Sequence, residues 1–138
     1  MQRMKCSWKE GMTFSASDGL GHELLMDLGK EAGGNNSGFR PMPLLLAGLG
    51  GCMGVDVKII LDKMKVSFTG LELEIEADMD ETTLPRIYSE IRVIFRFEGE
   101  NLEIDKIERA IDLAQEKYCN VSAILGKTCS LVYKAEIL

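Results

Sequence analysis

Apolar and polar positions change period several times along this chain, and each change marks an element. Residues 71–79, Leu71-Glu72-Leu73-Glu74-Ile75-Glu76-Ala77-Asp78-Met79, alternate apolar and acidic side chains with a period of two, the pattern of a strand with one wet face. The stretch 87–98 sets Ile91, Val93 and Phe95 against Arg92, Ile94 and Arg96. The two predict an antiparallel hairpin whose acidic and basic faces pair. Over 104–117 the period becomes helical, with Ile104, Ile107, Ile111 and Leu113-Ala114 on one side and Asn101 or Asp105 as cap. A short helix over 119–126 ends at Gly126, and 128–137 returns as a strand. Near the N-terminus, 3–10, 11–17 and 22–28 predict three short strands separated by turns at Glu10-Gly11 and Asp18-Gly19 and ending near Gly29.

Between these blocks lies the least polar part of the chain. After the breaker run Gly33-Gly34-Asn35-Asn36-Ser37-Gly38, Pro41 and Pro43 suit a first helical turn, where a missing N–H has no intrahelical partner. The expected helix covers 42–65, about 36 Å at 1.5 Å per residue. Its apolar stretch runs only 15 residues, Pro41 to Val55, before Asp56 and Lys58 interrupt it. A bilayer span needs about 20. The expectation is a soluble core helix buried on all sides, with Gly48, Gly50, Gly51 and Gly54 admitting close approach by another helix or backbone. Such a helix has more apolar surface than one sheet covers, and a dimer packing two of them together resolves the mismatch. The fold class is α+β in one domain over 1–138: three strands, a long helix, two strands, two helices and a strand.

Composition narrows the functional classes. The chain has 138 residues, 46% of them hydrophobic and 28% charged, with a net charge of −6. No basic run is present, which argues against a nucleic-acid partner. Met1-Gln2-Arg3-Met4-Lys5-Cys6 lacks the apolar core of a signal peptide, so a cytoplasmic location with free thiols is expected. The Gly-rich run has no Lys-Ser/Thr ending and is not a phosphate loop. With no CxxC and His22 the only histidine, a zinc site would need scattered ligands, and neither metal nor cofactor is expected. His22 reads as a strand residue near a turn.

The chemistry rests on cysteines. Cys52 lies inside the long apolar stretch and Cys119 opens the short helix. If they meet, they form a dithiol that can be oxidised and reduced. Thiolate is the reactive form, and local fields favour it at Cys119, which starts a helix two residues after Lys117. Cys52 lies beyond the first turn's field, and Asp56 on its face disfavours an anion. Cys6 and Cys129 fall in predicted strands and read as structural residues.

Gly50-Gly51-Cys52 followed by Asp56-Val57, with Glu116-Lys117-Tyr118-Cys119-Asn120-Val121-Ser122, resembles the two cysteine motifs of the OsmC/Ohr family, and most nearly its YhfA-like branch. The element order agrees over essentially the whole chain. The resemblance implies an intertwined homodimer with its active sites at the subunit interface. It also implies thiol-dependent reduction of organic hydroperoxides, in which Cys52 attacks the peroxide, Cys119 resolves the sulfenic acid as a disulfide, and a dithiol donor restores both. The family activates its first cysteine with an N-terminal arginine held by a glutamate at the start of the long helix. Here that start reads Arg40-Pro41-Met42-Pro43, without the glutamate. Arg40 is the nearest activating candidate and Arg3 the next.

Two other readings stand beside the enzyme. One is a non-catalytic dimer of the same fold that binds a small ligand or senses redox state. The other is a structural 52–119 disulfide, worth roughly 4 kcal/mol by loop closure, which the expected reducing compartment disfavours.

Overall fold

The computed structural model describes residues 1–138, which pack as two compact units, Met1–Ala47 and Gly48–Leu138. In the first, β1 (Lys5–Glu10), β2 (Thr13–Ser17) and β3 (Glu23–Met26) form an antiparallel meander. The Gly-rich run is the expected loop. It is tied down by Asp27, only 1% exposed, whose carboxylate accepts from the N–H groups of Leu28, Asn35 and Ser37 and the hydroxyls of Ser37 and Thr13. The Ser37 hydroxyl at 2.6 Å and three backbone donors hold that carboxyl well below the usual range, outweighing burial.

The second unit centres on a three-stranded sheet of order β4 (Gly70–Asp80), β5 (Ile87–Glu98), β6 (Ser130–Ile137). β4 and β5 pair antiparallel as the alternation predicts, and the charges on their wet face do meet: Arg92 contacts Glu76 and Asp78, and Arg96 contacts Glu74. β6 lies parallel to β5 and adds Glu136 to Arg96. The dry face of β5, Ile91, Val93, Phe95 and Phe97, is fully buried. At about 1.5–3 kcal/mol for each large apolar side chain, this face supplies much of the core.

Three helices complete the chain: α1 (Pro43–Lys63), α2 (Ile104–Leu113) and α3 (Asn120–Leu125). Pro43 opens α1 as expected. The cap of α2 differs from expectation: Glu103 holds the N-cap position without a side-chain bond, because Asn101 has turned into the left-handed region at φ 58° and Asp105 already lies inside the first turn.

The expectation that α1 is buried on all sides is overturned within the chain. Leu49, Met53, Val57, Ile60 and Leu61 form a buried stripe at helical spacing. Val55 is 59% exposed and Ile59 46%, so the opposite side remains apolar and uncovered. One sheet reaches only one side of a helix. The glycines likewise meet side chains of β4 rather than another helix: a Cβ on Gly50 would lie 2.7 Å from Ile75 Cδ1, while Gly48 and Gly51 face open space. By length and mean hydropathy, 1.9, α1 is long and apolar enough to cross a membrane. Its close approach to Ile75 and its buried stripe make it an element of the core.

Candidate redox site

Cys52 stands on the third turn of α1, and Asp56 follows one turn later on the same face. The Cys52 Sγ–H points to Asp56 Oδ2 at 3.8 Å. Cys119 comes from a different part of the chain, placed by an irregularity. After α2, residues Ala114–Tyr118 form a single π-helical turn, closed by the Cys119 N–H on the Ala114 carbonyl at 2.8 Å. Such wide turns are uncommon and recur at functional sites. Cys119 leaves this turn with extended backbone (φ −78°, ψ 104°) and becomes the N-cap of α3, its Sγ accepting the Ser122 N–H at 3.4 Å. The predicted single helix 104–117 is thus α2 plus a π turn, because the backbone widens to set Cys119 in place.

The outcome is a cluster. Cys52 Sγ, Cys119 Sγ and a carboxylate oxygen of Asp56 all lie within 4.8 Å of one another. Both cysteines are free thiols, Cys119 buried and Cys52 half-buried. Burial pushes the Cys52 thiol above the ordinary cysteine value, and the neighbouring Cys119 and Asp56 push it further; only the Val121 N–H, directed at the sulfur, works the other way. The disfavouring role expected of Asp56 is therefore present.

Sequence reading missed two residues at this place. Tyr133, on β6, shares a 2.7 Å hydrogen bond with the hydroxyl of Ser122. Its phenol is pushed up by burial, with Cys119, Cys129 and Cys52 adding to the shift. Ser122 had been visible only as the end of the cysteine motif. Nothing local to β6 signals Tyr133, since its position depends on the parallel register with β5, where it pairs with Val93.

Beside the cluster, Asp56 also lines a cavity of about 380 Å³. Ile59, Ile60, Met64 and Leu113 supply its apolar surface, and Lys63 and Arg109 bring positive charge. Helical spacing carries α1's contribution, but the residues from α2 meet it only through the fold.

The other candidates are not among the donors of this cluster. Cys6 is exposed on β1. Cys129 sits one residue before β6 rather than within a strand, its thiol on the Leu125 carbonyl at 3.3 Å. Exposed His22 bonds Asp18 at 2.6 Å, just before β3. Arg40 is held inside the first unit by the Gly38 carbonyl at 3.2 Å and Asn36 Oδ1 at 2.9 Å.

A family model described as "OsmC-like protein" matches residues 34–134, a span holding both cysteines. The chain belongs to the OsmC-like family. The Escherichia coli protein YhfA is 32% identical over 137 residues, covering 97% of this chain and 96% of its own. An Aquifex aeolicus protein of known structure, described as hypothetical, is 28% identical with a TM-score of 0.86, covering all of this chain and 96% of that one. The α+β fold is shared more widely. A Legionella pneumophila structure titled as an organic hydroperoxide resistance protein and predicted redox protein superposes with a TM-score of 0.74 at 17% identity, covering 99% of this chain and 96% of that one.

Proposed function

We propose that this OsmC-like protein reduces organic hydroperoxides through a Cys52/Cys119 dithiol cycle. The observation that carries the reading is the approach of the two sulfurs within 4.8 Å, from elements far apart in sequence. The Cys52 thiolate attacks the distal peroxide oxygen, the O–O bond breaks, and the alcohol leaves with a proton, so that sulfur is oxidised to sulfenic acid. Cys119 then displaces the hydroxyl as water to form the disulfide, and a dithiol donor returns both thiols by exchange. The cavity beside Asp56 has the apolar surface that an organic peroxide's hydrocarbon part requires. The Legionella neighbour and the Bacillus subtilis protein OhrB are both described as organic hydroperoxide resistance proteins, which supports this substrate class.

In this reading the protein is a cytoplasmic homodimer, with the uncovered apolar positions of α1 at the subunit contact. Arg40 is the activating group, and Arg40→Ala slows oxidation of Cys52. One equivalent of cumene hydroperoxide should remove two hydrogens from the reduced chain, with peptide mapping locating the bond at 52–119. Intact thiols after that treatment, or peroxide consumption that survives Cys52→Ser, would sink the proposal.

The raised Cys52 thiol supports a second reading, a redox-sensing or small-ligand-binding dimer that oxidises slowly. The pH dependence of thiol alkylation separates the two. A depressed midpoint at Cys52 in the assembled protein favours the peroxidase, and an ordinary or raised one at both cysteines favours the sensor.

A further inference from the structure

Cys52 and Asp56 are offered at i and i+4 on one helical face, a spacing that lets two side chains reach a single ion. Cys119 adds a third donor from the N-cap of α3, oriented by the Ser122 N–H on its sulfur. Zinc bonds of about 2.3 Å to sulfur and 2.0–2.2 Å to oxygen, set tetrahedrally, place donor atoms about 3.3–3.8 Å apart. The Cys52 Sγ to Asp56 Oδ2 separation is 3.8 Å, and no pair among the three exceeds 4.8 Å. Closing on an ion thus needs side-chain movement of about 1 Å.

We propose that Cys52, Cys119 and Asp56 bind one thiophilic divalent cation of the zinc class, and that the bound ion masks the dithiol from oxidants. Two soft sulfur donors select zinc over magnesium or calcium, which take oxygen ligands. Each thiol gives up its proton as its sulfur bonds the metal, and no electron changes hands. Two thiolates and a carboxylate place three negative charges around a doubly positive ion. Asp56 belongs to both the cluster and the cavity wall, and a solvent molecule can serve as fourth ligand. Ion binding itself involves no peroxide, whereas the masking rests on the dithiol reading of the same two thiols.

The test uses the reduced full-length chain carrying Cys6→Ser and Cys129→Ser, so that only the two clustered thiols remain. Titration with cobalt(II) should produce a thiolate-to-metal charge-transfer band that saturates at one ion per chain, disappears on adding zinc, and is accompanied by proton release. Cys52→Ser or Cys119→Ser should remove the band, and Asp56→Asn should weaken binding by at least about tenfold, the lower bound for disturbing even an outer partner of a metal ligand. In the unsubstituted chain, zinc should protect Cys52 and Cys119 from iodoacetamide while exposed Cys6 still reacts. Absence of the band, affinity indifferent to Asp56→Asn, or protection that fails at Cys52 and Cys119 overturns the site. The protection measurement needs no variant and reads the site even if a substitution unfolds the chain.

Discussion

Asp27 and Cys52 show two ways in which one chain surrounds an acid. Around Asp27 the loop supplies three backbone N–H groups and two hydroxyls, and the carboxyl titrates far below its usual range. Around Cys52 stand another thiol and a carboxylate with a single helpful N–H, and the thiol titrates above its usual range. Donors that meet an anion close its chemistry and make it a structural anchor. Neighbours that repel one favour the neutral thiol. The contrast is not one of burial, since Cys119, 3% exposed, belongs to the three-donor cluster and Asp27, 1% exposed, is an anchor.

The largest expected effect lies on the cysteine side. Cys52→Ser should lower hydroperoxide consumption at least about a hundredfold, since a serine hydroxyl cannot cycle through a sulfenic acid; a peroxide assay with a dithiol donor reads it. On the other side, Asp27→Ala leaves buried donors without an acceptor and should lower Tm by roughly 5–10 °C, measured by calorimetry. The sign with pH follows from the lowered carboxyl. Its stabilisation is fully present above the unfolded value near about 4 and is lost as pH falls toward the folded value, so acid should erode the difference between wild type and Asp27→Asn.

Smaller effects sharpen the same contrast. Asp56→Asn removes one of the charges that raise Cys52, and near neutral pH its alkylation should quicken by a few-fold. A slower reaction would place Asp56 among the supports of the thiolate and break the comparison. Tyr133→Phe deletes the hydroxyl that meets Ser122 and should cost about 1 kcal/mol in denaturant unfolding, with little change in Cys52 alkylation.

Much of this was legible in local pattern. The strand 87–98 matches β5, and the helix expected over 42–65 is observed as Pro43–Lys63, because period-two alternation and a proline start are properties of adjacent residues. The charge pairing of β4 with β5 followed from the same alternation. The Asn101 or Asp105 cap did not hold, and the helix expected over 104–117 widens into a π turn from Ala114, since a left-handed residue and a widened turn have no signature in the hydrophobic period. The all-round burial of α1 failed for a related reason: composition states how apolar a helix is, not how many of its faces meet a sheet.

By itself, then, the sequence determined the order of elements and the family, and singled out the two cysteines proposed to carry the chemistry, all through short-range periodicity and motif. It also contained the local argument that Asp56 opposes a thiolate at Cys52, because four residues along a helix are neighbours whatever the fold. Only tertiary structure decided that Cys119 completes a three-donor cluster with them, that Tyr133 stands beside it on Ser122, and that Lys63 and Arg109 share a cavity with Asp56. Those contacts join residues many positions apart, and their distances follow from strand register and from one widened helical turn rather than from any neighbouring side chain.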